Sequence, residues 1–197
     1  NMSVAASPGD FAGNPFSDFG LSAMAASDTS TPDLLGVAFG ATFGIITVAL
    51  ISGSIADRAK FGSWMVFAGI WATAVYFPVA AWVWGGGWIM NLGTTLFGED
   101  SGIAVIDYAG GTAVHMNAGA AALALALILG KRIGFKPGIQ KPHNVPLTLT
   151  GAALLWFGWF GFNAGAEWLN GMANTGLIIL NTLGAAATGI LGWLVVE

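Results

Sequence analysis

The chain has no cysteine and little charge, with six Lys and Arg and ten Asp and Glu among 197 residues. Without Cys there is no disulfide, no thiolate metal site and no cysteine nucleophile, and the redox compartment cannot be read. An average soluble domain is roughly 25% charged; this chain is 8% charged and 55% hydrophobic, with a mean hydropathy of +0.73. So few polar groups cannot cover the surface of a water-soluble globule. The few basic residues and a net charge of −4 argue against nucleic acid as a partner. What is abundant is apolar or small: thirteen Phe, nine Trp and thirty Gly. The composition is that of an integral membrane protein, and the expected fold class is all-α, a polytopic membrane helix bundle.

A transmembrane helix needs about 20 apolar residues to cross a hydrocarbon core of ~30 Å. Stretches that meet this run over about 34–55, 61–83, 108–130, 146–166 and 172–196. Five spans and a transmembrane domain over 34–197 are therefore expected. Gly85, Gly86 and Gly87 should end the second span, and Pro146 should lie near the start of the fourth. Each stretch is apolar all round, as helices bounded by lipid and other helices should be.

The basic residues set an orientation. Arg58 and Lys60 lie between spans one and two, and Lys131, Arg132, Lys136 and Lys141 between spans three and four. The opposite side has no Lys or Arg but holds Asp10, Asp18, Asp28, Asp33, Glu99, Asp100, Asp107 and Glu167. The positive-inside rule places loops 56–60 and 131–145 in the cytoplasm and Asn1 outside, in a multi-pass protein of the cell membrane. Residues 1–33 then form an extracellular polar segment, loose and without the basic start or long apolar run of a signal peptide. A chain that begins this way and stops just after a span is expected to be part of a longer protein. Gly36, Gly40 and Gly44, and Gly161 and Gly165, repeat at the four-residue spacing that lets helix backbones approach.

His115 is the one ionisable side chain well inside a span, about eight residues or ~12 Å below the outer end of span three. An ionisable group at that depth is a functional candidate by default. Two readings stay open for it. The ring is either a neutral imidazole bonded to a neighbouring helix, or a group that exchanges a hydrogen bond with a passing solute. Asp107 stands where span three begins, so it should cap the first free N–H groups, and its charge should also favour a cation nearby. Tyr108, Thr112, His115 and Gly119 follow at three- and four-residue steps, one side of a helix.

Aromatics gather at the same depth. Phe39 and Phe43 share a face in the outer half of span one, Trp84 ends span two, and Trp159, Phe162 and Ala166 fall at helical steps in the outer half of span four. All of them can converge on one outer vestibule above His115. Cation–π attraction there is worth ~2 kcal/mol or more when desolvated. Taking a bare ion into low dielectric costs tens of kcal/mol. A cation using such a path must find fixed carbonyls or give up its proton. No segment like the Thr-Val-Gly-Tyr-Gly filter of potassium channels is present. The residue types fit ammonium better than potassium or sodium.

At Asp107-Tyr-Ala-Gly-Gly-Thr-Ala-Val-His115, followed by Met-Asn-Ala-Gly, the chain resembles the ammonium transporter (Amt/Mep/Rh) family. Matching stretches include Gly158-Trp-Phe-Gly-Phe-Asn-Ala-Gly165, Ser54-Ile-Ala-Asp-Arg58, Val83-Trp-Gly-Gly-Gly87 and Lys141-Pro-His-Asn144. They run in consistent order from Leu34 to Glu197, and the aromatic mouth is similar to the Amt/Mep branch. The resemblance implies an inverted-repeat transporter of eleven spans, of which these would be the third to seventh, packed as a homotrimer with one pore per subunit. It implies an outer recruitment site of Trp84 and Phe39, gating rings at Phe43 and Phe162, and Trp159 lining the pore nearby. Asp107 would shape the site from the helix start, and His115 would be the first of two pore histidines. Thr112 and Asn163 complete the candidate set.

Two departures stand out. Ala166 occupies a position where many members carry a Ser that bonds the recruited cation, and the second pore histidine belongs to a later span. The isolated 197 residues are therefore not expected to transport. No cofactor or metal is implied. The main expectation is ammonium or ammonia transport through an apolar, His-lined pore. The alternative is an ammonium-sensing transmembrane domain, and a cytoplasmic regulatory protein is a candidate partner for either. An enzyme is disfavoured, since no Ser–His or carboxylate pair shares a depth.

Overall fold

The computed structural model describes residues 2, 4–5, 7–27, 30–136, 143–168 and 171–196. Asn1, Asp28, Lys141, Pro142 and Glu197 lie outside the described residues. Every regular element among those described is a helix. The chain forms two compact units, residues 1–135 and 136–197.

In the first unit a short helix α1, Ser22–Ala25, leads into α2, Ser30–Ile55. Then come α3, Phe61–Trp71, a wider π-wound turn at Ala72–Tyr76, and α4, Phe77–Val83, as one continuous rod. A short α5, Leu92–Phe97, follows, and a second π-wound stretch, Gly111–Met116, runs into α6, Asn117–Leu129. The second unit is the pair α7, Val145–Trp168, and α8, Thr175–Val196. Among the described residues, five helices are long and apolar enough to cross a membrane: Pro32–Ile55, Phe61–Val83, Gly111–Leu129, Val145–Glu167 and Thr175–Val196. The third starts at residue 111 rather than 108, and the fifth at 175 rather than 172.

Local chemistry explains the irregular places. Pro78 has no N–H to give and its ring would strike the carbonyl one turn back. The wide turn at Ala72–Tyr76, just before it, lets the rod pass Pro78 unbroken. The rod ends at Trp84, after which Gly86 adopts φ +85°, a backbone state that suits glycine.

The core of the first unit is a stripe on α2 meeting the rod and α6. Phe43, Thr47 and Ile51, one turn apart, are all buried, as are Trp71, Tyr76, Ala80 and Ala81 from the rod and Ala113, Val114 and Ala118 from the π-wound stretch and α6. Thr47 hides its hydroxyl by donating to the Phe43 carbonyl at 2.6 Å. In the Gly36, Gly40, Gly44 series only Gly44 meets a packed neighbour; a Cβ there would lie 3.1 Å from the Tyr76 ring, whereas one at Gly36 or Gly40 would touch nothing. Outward faces stay apolar: Ile70, Leu127 and Ile128 in the first unit and Val195 and Val196 in the second are exposed, as a lipid-facing helix requires.

The expectation of a loose N-terminal segment is corrected. Ala5 N–H donates to the Gly85 carbonyl at 2.7 Å, and Trp82 Nε1–H donates to the Phe11 carbonyl at 2.9 Å. The segment therefore packs on the loop after α4. At the other end of the unit, Ile133 N–H donates to the Asp57 carbonyl at 2.9 Å, so the loops carrying Arg58 and Lys131 share one end.

Candidate functional site

The start of the Gly111–Leu129 helix is organised by one side chain. A helix begins with four N–H groups that have no partner within it. Asp107 accepts all four: Oδ1 takes Gly110 at 2.6 Å and Gly111 at 2.9 Å, and Oδ2 takes Thr112 at 2.9 Å and Ala113 at 3.1 Å. The next two N–H groups, of Val114 and His115, both go to the Gly110 carbonyl, at 3.0 and 2.8 Å. This sharing produces the π winding. Gly110 itself is at φ +86°, and a Cβ there would fall 2.3 Å from a Val114 methyl, so the turn admits only glycine. The cap expected of Asp107 is present. Its acceptors are engaged by backbone, which makes its charge a fixed field rather than a mobile ligand. Tyr108 lies in this turn and not on the helix, so the one-sided row of residues begins at Thr112.

Asp107 also holds Trp84. The indole Nε1–H donates to the Asp107 backbone carbonyl at 2.7 Å. The Trp84 ring lies 5.1 Å from Phe43, inclined at 68°, and Phe43 lies 5.0 Å from Phe39 at 90°. Edge-to-face pairs of this kind are the favoured aromatic geometry. Phe39, Phe43, Trp84 and Asp107 thus form one connected set where α2, α4 and the Gly111 helix come together. Phe43 is buried, and Phe39 and Trp84 are half-buried.

His115 sits one turn further along. Its Nδ1 is 3.1 Å from the Gly110 carbonyl. A carbonyl can only accept, so Nδ1 is the donor in this pair. The ring is exposed on the surface of this unit rather than enclosed by it.

The second unit holds the other candidates. Trp159 and Phe162 are half-buried, with ring centroids 4.9 Å apart and planes at 48°. Asn163 Nδ2–H donates to Thr182 Oγ1 at 2.9 Å, and the Thr182 hydroxyl donates to the Ile178 carbonyl at 2.7 Å. The Asn163 amide therefore ties α7 to α8. Ala166 is buried.

Three residues were missed by sequence reasoning. Tyr76 is a buried ring closing on Gly44; its only signal was its place in an apolar run. Trp82 anchors the N-terminal segment, and nothing in the sequence distinguishes it from an interfacial Trp. Glu167, named in the sequence only among the acidic residues of the outer side, is fully buried; Oε1 accepts Asn174 N–H at 2.8 Å and Oε2 has no partner among the described residues.

A family model described as the Ammonium Transporter Family matches residues 2–197. The chain belongs to the ammonium transporter family. It is 48% identical to the ammonium transporter of Mycobacterium tuberculosis strain H37Rv over 96% of this chain and 43% of that protein. It is 49% identical to the ammonium transporter of Bacillus subtilis strain 168 over 87% of this chain and 39% of that one. A crystal structure of Candida albicans Mep2 superimposes with a TM-score of 0.53 at 43% identity, covering 63% of this chain and 26% of that structure. The chain thus spans about two fifths of the length of these curated ammonium transporters.

Proposed function

We propose that the chain is part of a plasma-membrane ammonium transporter, with Asn1 outside, in which the Trp84 end of the first unit recruits the ion. The observation that carries this reading is the join between Trp84 and Asp107: an indole held by 2.7 Å hydrogen bonding to the backbone of a residue whose carboxylate caps the adjoining helix. An ammonium ion there meets the faces of Trp84 and Phe39 in the field of a fixed negative charge. Aromatic faces supply about 2 kcal/mol, far less than the cost of entering low dielectric as an ion. Of the two ways past that cost, solvation by fixed carbonyls or loss of the proton, this reading takes the second: the ion leaves its proton with water on the outer side and enters the apolar path as ammonia.

In this reading Phe43 is a gating ring and Thr112 a wall residue of the first unit; in the second unit the resemblance gives Phe162 the part of a gating ring and Trp159 and Asn163 that of pore residues. His115 presents Nε2 to ammonia below the mouth. Ala166, in the second unit, supplies no hydroxyl at a position where the resemblance gives many members a Ser that bonds the cation. The whole protein works as a homotrimer with one pore per subunit, and its second pore histidine comes from a segment beyond these residues. The names of the relatives and the match along residues 2–197 support the substrate.

Trp84→Leu in the full-length protein tests the site. Half-saturating ammonium should rise by on the order of tenfold, while Trp84→Phe, which keeps an aromatic face, should shift it less. An unaltered concentration dependence in Trp84→Leu would remove the aromatic site from the mechanism.

A further inference from the structure

The indole of Trp84 is fixed at its ring, but its backbone leads straight into Gly85, Gly86 and Gly87, three residues with no side chains to hold them. Glycine has the widest backbone freedom of any residue. The end of the rod holds part of this turn, with Gly85 N–H donating to the Ala80 and Ala81 carbonyls and Gly87 N–H to the Ala81 carbonyl; two further sets of contacts restrain it. On one side Asn91 Nδ2–H groups donate to the Gly86 and Gly87 carbonyls, each at 2.9 Å. On the other side stands the N-terminal segment.

That segment is a preformed strap. Ser7 N–H donates to Asp10 Oδ2 at 2.8 Å, Asp10 N–H donates to the Ser7 carbonyl at 3.0 Å, and Gly13 N–H donates to the Met2 carbonyl at 3.0 Å. The loop so closed reaches the rod at two points that flank Trp84. Ala5 N–H holds the Gly85 carbonyl, one residue after it. Two residues before it, Trp82 donates its indole N–H to the Phe11 carbonyl, and the Phe11 ring packs edge-on against the Trp82 ring at 5.7 Å and 73°. The strap touches neither Trp84 nor Asp107 in any of these contacts.

We infer that Ala5, Phe11 and Trp82 are positioning residues for ammonium recruitment, fixing the backbone on both sides of Trp84 so that its ring keeps the angle a cation needs. The inference rests on the proposed recruitment role of Trp84 and adds the device that sets its affinity. Its signature is a change in half-saturating concentration with little change in maximal flux. A contact that merely supports folding would lower the amount of active protein and leave the concentration dependence alone.

The experiment uses the full-length protein in proteoliposomes, with ammonium flux read across a concentration series. Phe11→Ala removes the ring but keeps the carbonyl, Trp82→Phe keeps a ring but removes the N–H, and Ala5→Pro removes the other N–H. Each should raise half-saturating ammonium about two- to tenfold, the size of one lost hydrogen bond or ring contact, with maximal flux per folded protein held. Phe11→Tyr, which keeps the ring, should behave as wild type. A fall in folded protein or maximal flux at unchanged half-saturation would overturn the positioning role. So would wild-type kinetics in all three variants while Trp84→Leu shifts; that result leaves the recruitment reading standing. If Trp84→Leu itself shifts nothing, the recruitment reading fails and this inference fails with it.

Discussion

Asp107 and Glu167 are both carboxylates set against the start of a long apolar helix, and the two are used in opposite ways. Asp107 takes four backbone N–H groups with its two oxygens and keeps contact with partly accessible surface. Glu167 is wholly buried, takes one N–H from Asn174 through Oε1, and leaves Oε2 without a partner among the described residues. A carboxylate whose acceptors are all met is a rigid part of the wall. A buried oxygen that has lost water without gaining a donor costs about 1–3 kcal/mol, more when charged. Position at a helix start is therefore not enough to assign a carboxylate a role; the number of donors that reach it decides.

Substitution should separate the two sharply. Asp107→Ala strips the acceptor from four N–H groups at once and unseats the turn that holds Trp84. At about 1 kcal/mol or more for each bond, the loss is several kcal/mol, and the folded peak in size-exclusion chromatography should largely vanish. Asp107→Asn keeps one acceptor oxygen and should give a folded protein with a clearly lowered melting temperature. Normal folding of Asp107→Ala would break the comparison at its stronger end.

Smaller effects belong to the second unit. Asn163→Ala removes the hydrogen bond from α7 to Thr182 on α8, a contact of a kind worth about 0.6–1.7 kcal/mol between membrane helices; the drop in thermal stability should be of that size, and Thr182→Val should match it. Glu167→Gln should do least. The amide keeps an acceptor for Asn174 and sheds the charge, so the melting temperature should hold or rise slightly. A fall as large as that of Asp107→Asn would mean that Oε2 has a strong partner in the intact protein, and the contrast between the carboxylates would disappear.

Which parts were legible in the sequence follows from the physics of each. The five long helices were readable because length and apolarity alone suffice, and the Asp107 cap because an Asp beside glycines at a helix start has few other uses. The π winding was not readable. At Ala72–Tyr76 it depends on how the helix passes Pro78, and at Gly111–Met116 on two N–H groups sharing one carbonyl. Tyr108 was accordingly misplaced onto the helix. The strap was hidden because its anchors are the backbone of Ala5 and the carbonyls of Gly85 and Phe11, groups that any residue owns. Spacing shows where a helix can approach and not where one does: within Gly36, Gly40 and Gly44, it is Gly44 beside which the described residues bring a neighbour, the Tyr76 ring.

In the proposed reading, ammonium recruited beside Trp84 passes the imidazole of His115 as ammonia. The most direct measurement is the rise in internal pH, read by an enclosed dye, after an ammonium jump in proteoliposomes of the full-length protein, wild type against His115→Ala, with protein-free liposomes as the baseline and folding of both checked by size-exclusion chromatography. A saturable alkalinisation above that baseline, lost or strongly reduced in the variant, is the expected result. Alkalinisation at the wild-type rate in folded His115→Ala would contradict it.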